Sequence, residues 1–224
     1  MIQSSELAKQ IHSVKQIRGM TRSMQLVGQV MSRQARKQLD NAMPFIATCA
    51  QTMANLQEHA PELTTPLMQL RQKKPGESWS IAFYVFSGDQ SMAGSYNLDL
   101  LNSASAAMEQ QISLRNGQGY MVNHVCRLLG KIGLERLAAQ GFNMKRDFVF
   151  PIAPPDYKRV GGLSNSIRQS YLKGEIDEVI FIFHTFRRAA HRPGHSLTCS
   201  AGKPQRTEPS VQRLRYSPDD PRQC

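Results

Sequence analysis

The stretch LAKQIHSVKQIRGMTRSMQLVGQVMSRQARKQLD, residues 7–40, decides how the chain is organised. Its apolar residues recur every three or four positions, the spacing that places side chains on one face of a helix. We call this set the apolar stripe: Leu7, Ile11, Val14, Ile17, Met20, Met24, Val27, Met31, Ala35 and Leu39. Because the spacing continues past Pro44 to Leu56, the sequence predicts one long amphipathic helix within an N-terminal segment, residues 1–60.

The side chains between the stripe positions are mostly cationic: Lys9, Lys15, Arg18, Arg22, Arg33, Arg36 and Lys37. A helix of about 45 residues would extend about 65 Å, which is longer than a compact domain of this size needs. A narrow stripe on so long a helix is typical of packing along a second helix in a coiled coil. The alternative is a helix folded back on the globular part, with the stripe as ordinary core.

Composition restricts the class of protein. Lys and Arg number 28 against 17 Asp and Glu, and the net charge of +11 suits nucleic acid, an anionic membrane surface or an acidic protein partner. The sequence has neither the apolar region of a signal peptide nor an apolar run of about 18 residues, so we expect an unexported chain with no transmembrane segment. No C-x-x-C pair occurs among the scattered cysteines, which predicts neither a zinc site nor a disulfide framework: Cys49, Cys126, Cys199 and Cys224.

Beyond a polar, proline-containing linker over residues 61–78, the sequence predicts an α/β domain over residues 79–186. The apolar run WSIAFYVF, residues 79–86, is typical of a strand buried on both faces of a sheet. A turn-rich loop follows, and Asn97 is expected to cap the next helix. Alternating segments then predict an open α/β sheet with helices on its faces: strands over 119–125, 147–150 and 178–186, and helices over 128–140 and 162–172.

The C-terminal segment, residues 187–224, is rich in Arg and Pro and has no apolar period, so the sequence predicts disorder there.

Candidate chemistry is sparse. The loop Gly88–Gly94 lies where nucleotide-binding folds hold phosphates, but it lacks the Lys-Ser/Thr pair of a P-loop and the G-x-G-x-x-G spacing, which favours a structural turn. His191 and His195 have Pro and Gly between them, so no helix can place both rings on one face. Asp177 and Glu178 are interpreted as the solvated start of a strand. We therefore predict no catalytic residue, no cofactor and no metal site.

Several motifs resemble those of a known family. The first-helix pattern I-x-S-V-K-x-x-x-x-I-T-K-A-M stands in register with Ile11, Ser13, Val14, Lys15, Thr21, Arg22, Ser23 and Met24. Residues 87–97, which we call the motif loop, align without a gap with S-S-D-R-G-L-C-G-G-L-N. Residues 174–179 match G-E-F-D-E-V, and residues 130–133 are similar to a G-x-K-G turn. The family is that of the gamma subunit of F-type ATP synthase, the central rotor stalk, and the resemblance covers about residues 5–186.

The resemblance implies a Rossmann-like domain and a mechanical role without an active site. The coiled coil of the family stands inside the ring of alpha and beta subunits, and its globular domain meets the epsilon subunit and the membrane c ring. Rotation couples proton or sodium transport to ATP synthesis or hydrolysis. We therefore expect a peripheral protein on the cytoplasmic face of the bacterial inner membrane. We expect no nucleic acid among its partners. Partner contacts are expected at Lys15, Arg18, Arg22, Met24, Arg33, Arg36 and Lys37, and the motif loop is marked by Asp89, Gly94 and Asn97.

Departures from the family pattern suggest a diverged branch. Gln90, Ser91, Ala93 and Ser95 replace an Arg, a Gly, a Cys and a Gly of the motif loop, and Gln25 stands where the family often has Lys. The family also closes with a second long helix, to which residues 187–224 bear no likeness, as a shifted reading frame or a truncated gene would produce. We expect that without this helix the chain cannot couple rotation by itself and that its stripe is exposed.

An alternative from another class is a non-catalytic basic adaptor that binds nucleic acid or an acidic protein through the N-terminal helix. The absence of aromatic residues between the cations argues against nucleic acid. An enzyme with a Rossmann-like site is the third hypothesis.

Overall fold

The computed structural model describes residues 4–60, 62, 66–67, 71–148, 150–152, 155–184 and 209–213. The chain divides into two units, of which the first holds the long helix and the second, residues 65–216, holds a sheet and its helices. Helix α1 (Ser4–His59) runs for 56 residues and includes Pro44 without interruption. It would extend about 84 Å at the rise of a regular helix, and it confirms the long N-terminal helix that the apolar stripe predicted.

The second unit is an α/β arrangement. Its elements are β1 (Ser78–Phe86), α2 (Tyr96–Gly117), β2 (Met121–Leu129), α3 (Leu134–Ala139), α4 (Tyr157–Leu172), β3 (Glu178–His184) and β4 (Pro209–Arg213). The strand order is β2-β1-β3-β4, with β1 parallel to both of its neighbours and β4 antiparallel to β3. The predicted α/β class is confirmed, with a parallel sheet and one antiparallel edge strand.

Strand β1 is central because both of its faces are apolar. Ile81, Phe83 and Val85 belong to the core cluster that contains Leu100 and Met108 of α2. The residues that alternate with them, Ala82 and Tyr84, belong to a second cluster with Ile167 of α4 and Val179 of β3. Burying an aromatic or branched side chain contributes roughly 1.5–3 kcal/mol, so one short strand anchors helices on both faces of the sheet.

Two predicted elements around residue 128 are wrong. Strand β2 continues to Leu129, four residues beyond its expected end, and the helix expected from residue 128 begins only at Leu134. The reason is the turn at Gly130 and Gly133, whose φ angles of +100° and +111° favour glycine and exclude a helix. Leu128 and Leu129 are buried in the sheet, a position that their apolar character fits as well as a helix.

The strand predicted over residues 147–150 is also not formed in the described part of this segment. Phe150 makes a single parallel bridge with Leu129, and Met144 makes one with Cys126. Helix α4 begins five residues earlier than expected, because the Asp156 carboxylate accepts hydrogen bonds from the amides of residues 158 and 159 and caps it.

Part of the C-terminal segment is ordered, contrary to the predicted disorder. Strand β4 pairs with the edge of β3, with Val211 opposite Ile182. An edge strand presents unpaired backbone N–H and C=O groups that an extended segment can bond whatever its side chains are, so a polar composition did not exclude pairing. Residues 185–208 and 214–224 lie outside the described residues, as do the two histidines considered for a metal.

Candidate functional site

Helix α1 carries two different surfaces along its length. The apolar stripe is solvent exposed, and the accessible fraction of Met31 reaches 65%. A continuous apolar surface of this length is typical of an interaction site. The residues predicted to contact partners all lie on α1 with exposed side chains: Lys15, Arg18, Arg22, Met24, Arg33, Arg36 and Lys37.

Six of the seven lysines and arginines of α1 lie on one side, because the helix is uninterrupted. At about 100° per residue, the basic residues between 15 and 37 fall within a sector of about 100°, roughly opposite to the stripe residues from Ile17 to Ala35. They extend along about 33 Å of helix. We call this set the basic face: Lys15, Arg18, Arg22, Arg33, Arg36 and Lys37. Such a face suits an elongated acidic surface, while the stripe needs an apolar one.

The motif loop lies at the carboxyl end of β1 and is held by Asn97. The side-chain oxygen of Asn97 accepts a hydrogen bond from Gly88 N (2.8 Å), and its amide nitrogen donates to Gln90 O (3.3 Å). The prediction that Asn97 caps α2 is wrong, since Ser95 is the N-cap residue and makes no side-chain cap bond. Asn97 is 6% exposed and satisfies the loop amide instead, so it stabilises the loop rather than the helix end.

The motif loop and the turn over residues 130–133 form one structure, although they are far apart in the sequence. Ser87 N donates to Leu129 O (2.7 Å), and the amides of Lys131 and Ile132 both donate to Gly88 O (3.1 Å each). A Cβ at Gly130 would lie 2.3 Å from Ser87 O, so the close approach of the two segments requires glycine there. The carboxyl edge of β1 and β2 is therefore fixed by backbone contacts.

The other two loop positions also have structural roles. Asp89 accepts a hydrogen bond from Ile152 N (3.0 Å) and so ties the loop to the segment that precedes α4. Gly94 takes a φ of +58°, a left-handed turn conformation. The amide of Gly88, which a bound phosphate would need, already donates to Asn97. This geometry favours the structural turn over a phosphate-binding loop.

Glu178, at the amino end of β3, is buried, and its interpretation as part of a solvated strand start is wrong. Its Oε2 atom accepts hydrogen bonds from Arg115 Nε (2.9 Å) and Nη2 (2.7 Å) and from Trp79 Nε1 (3.2 Å). The guanidinium carbon of Arg115 lies 4.4 Å from the centre of the Trp79 ring. Glu178 can be buried because a cation from α2 and an indole from β1 satisfy it together.

Asp177 is buried beside Glu178 and has its own partners. Its Oδ2 atom accepts hydrogen bonds from Lys73 Nζ (2.6 Å) and Ser80 N (2.8 Å). Sequence reasoning missed Lys73, Trp79 and Arg115 as partners of this motif. The signal that could have indicated them is a pair of acids at the start of an otherwise apolar strand, because buried carboxylates require cations or donors.

The titratable groups with shifted pKa values have burial as the main cause. Burial raises the pKa of the Cys126 thiol to about 12 and lowers the pKa of His124. It also raises the pKa values of Tyr84 and Tyr96. These directions disfavour the charged forms, which makes Cys126 a poor nucleophile.

Neither a metal cluster nor a membrane span is found within the described ranges. No group of three or more His, Cys, Asp or Glu residues there could hold a metal ion. No helix among those residues is long and apolar enough to cross a membrane.

Comparisons with known proteins connect this architecture to one family. A family model described as ATP synthase matches residues 3–220. Among curated proteins, the chain is 24% identical over 178 residues to the ATP synthase gamma chain of Ruminiclostridium cellulolyticum, which covers 80% of this chain and 57% of that protein. It is 27% identical over 187 residues to the gamma chain of Acidithiobacillus ferrooxidans, covering 83% and 61%.

A third relative gives the longest of these three matches. The ATP synthase gamma chain of Maridesulfovibrio salexigens is 21% identical over 197 residues, which cover 88% of this chain and 64% of that protein. The chain thus spans about three fifths of the length of the curated relatives that it matches.

Proposed function

This chain belongs to the ATP synthase family, as its motifs predicted, and we propose that it is a gamma subunit, the central stalk of an F-type ATP synthase. Gamma subunits of this family transmit rotation between the membrane c ring and the catalytic sites of the alpha and beta subunits, during ATP synthesis or hydrolysis coupled to proton or sodium transport. In this role the chain would contribute α1 to the rotating shaft. It would be a non-catalytic, peripheral subunit on the cytoplasmic face of the bacterial inner membrane.

The observation that carries this proposal is α1 itself, a single helix with an exposed apolar stripe and a basic face on different sides. The two surfaces of α1 support simultaneous contacts of different chemistry, apolar packing on one side and salt-sensitive ion pairs on the other. This combination suits a shaft surrounded by other subunits.

The α/β unit supports the second half of the proposal. Its motif loop is hydrogen-bonded to the turn over residues 130–133 at the carboxyl ends of the strands. At their amino ends, the buried acids Asp177 and Glu178 are paired with cations. A rigid body is what a stalk needs in order to pass rotation to a neighbour without deforming. We assign to this unit the contacts with the epsilon subunit and the c ring.

The test is co-purification of the full chain with alpha and beta subunits, using variants of the basic face. Charge reversal of Arg22→Glu together with Arg33→Glu should reduce the recovered complex, because the ion pairs become like-charge contacts. The matched control is Lys158→Glu with Arg159→Glu, which reverses two exposed cations on α4. We expect the control to assemble normally. Equal recovery of both double variants would contradict the role of the basic face, and no recovery of the unmodified chain would contradict the proposed function.

A further inference from the structure

Residues 71–77, which we call the strap, are bonded to the amino-terminal edge of the sheet. Gly76 N donates to Gly119 O (2.7 Å), and the Tyr120 hydroxyl donates to Lys73 O (3.1 Å). The strap therefore contacts the connection between α2 and β2 before the chain enters β1. These ties are neutral hydrogen bonds, which individually stabilise little.

Charged contacts hold the strap at its other end. The Arg71 guanidinium lies 4.6 Å from the centre of the Tyr171 ring, at the end of α4, and its Nη2 atom donates to the Tyr171 carbonyl. Its Nε atom is 3.6 Å from Asp177 Oδ1. Arg71 thus bridges the last turn of α4 and the residue that precedes β3.

Asp177 is the centre of this arrangement. Its Oδ2 atom bonds both Lys73 Nζ and Ser80 N, so one carboxylate joins the strap to β1. The Asp177 side chain is 1% exposed, whereas that of Lys73 is 25% exposed. A carboxylate this deeply buried is strongly unfavourable without its cation. The buried charge at residue 177 therefore requires the strap to stay in place.

We propose that Asp177 is a positioning residue that latches the strap to the sheet, so that a force on α1 enters the α/β unit at Arg71 and reaches β1 and β3 together. With the latch closed, residues 60–70 separate the end of α1 from Arg71, the first latched residue. With the latch open, the intervening chain lengthens by up to the seven residues of the strap, about 24 Å if extended. The use of this latch for torque rests on the proposed function, but the latch itself does not.

The first test is native-state hydrogen exchange on the full chain. Asp177→Asn keeps an acceptor for Ser80 N but removes the charge, and Lys73→Met removes the cation. We expect the strap amides to exchange at least about tenfold faster in both variants. The matched control is Glu175→Gln, which removes an exposed charge from the same turn and should leave the strap unchanged.

The amide of Phe83, in the middle of β1, distinguishes local release from global unfolding, since it should keep its protection in Lys73→Met. If Asp177→Asn fails to fold, Lys73→Met carries the test, because its side chain is partly exposed. Strap exchange at the wild-type rate in Lys73→Met would overturn the latch.

The second test measures the path of force. One handle is attached to Cys49, which is exposed on α1, and the other to a cysteine that replaces the exposed Glu109 of α2. Cys199 and Cys224 are changed to serine in all of these chains. Under tension, Asp177→Asn should lengthen in one step, by less than the strap's contour length of about 24 Å, at a force at which the wild type and Glu175→Gln do not. Identical force–extension curves for all three would overturn the proposed path. Neither test needs alpha or beta subunits, so these results judge the latch, while failed co-purification judges the proposed function.

Discussion

Replacing Asn97 with alanine should destabilise the α/β unit by about 2 kcal/mol. The substitution removes the acceptor of Gly88 N, and a buried amide left without a partner costs about 1–3 kcal/mol. It also removes the longer hydrogen bond to Gln90 O, which contributes about 0.5 kcal/mol or more. Helix α2 itself should be little affected, because Asn97 does not cap it.

Urea unfolding followed by tryptophan fluorescence is the appropriate assay. Trp79 is the single tryptophan of the chain and lies buried in β1, so its signal reports this unit and not α1. With a denaturant slope of about 1–3 kcal/mol per molar, a loss of 2 kcal/mol lowers the urea midpoint by about 1 M.

The matched control for this substitution is Asn165→Ala. The Asn165 side chain accepts an exposed hydrogen bond from Arg168, and its loss should change stability by less than about 0.5 kcal/mol. A midpoint for Asn97→Ala equal to that of the control would refute the reasoning that Asn97 satisfies the loop.

Three further outcomes are expected. Arg115→Met should lower the free energy of unfolding by about 3–5 kcal/mol in the same assay, because it leaves Glu178 buried without its cation. Adding Glu178→Leu should restore part of that stability. A double variant less stable than the single one would contradict the pairing. Gly130→Ala should unfold at much lower urea than Gly117→Ala, since only the first has a positive φ and a Cβ clash; equal midpoints would oppose this account. The Cys126 thiol, with its pKa raised to about 12, should resist iodoacetamide at pH 8 until urea unfolds the unit, as mapped by peptide mass spectrometry; rapid native labelling would be inconsistent with its burial.

Local patterns predicted the elements whose burial is decided by their own sequence. The period of the stripe predicted α1, and the uninterrupted apolar run predicted β1, because each pattern specifies which faces of the element are apolar. The end of β2 was missed because Leu128 and Leu129 suit a strand or a helix equally. Only the backbone conformation at Gly130 decides between the two, and a glycine in a sequence does not reveal its φ angle.

The site was predictable where it lies on one helix and not where it joins distant segments. The basic face follows from helical spacing alone, but the burial of Asp177 depends on Lys73, 104 residues earlier in the chain. Asn97 fits the pattern of a helix cap, yet its side-chain oxygen accepts a hydrogen bond from the loop amide of Gly88. A single sequence carries no information on such pairings, which require the fold. The partner contacts of the basic face, the domain boundaries and the origin of the C-terminal segment stay predictions.

Photo-cross-linking from α1 in the assembled complex tests the stalk role most directly. A photoreactive amino acid is placed at Met24, on the stripe, and in a separate chain at Met92, which is exposed in the motif loop of the α/β unit. We expect adducts with alpha or beta subunits from Met24 and none with those subunits from Met92. A complex that assembles but gives no such adduct from Met24 would contradict the claim that α1 is the part of this chain that the ring surrounds.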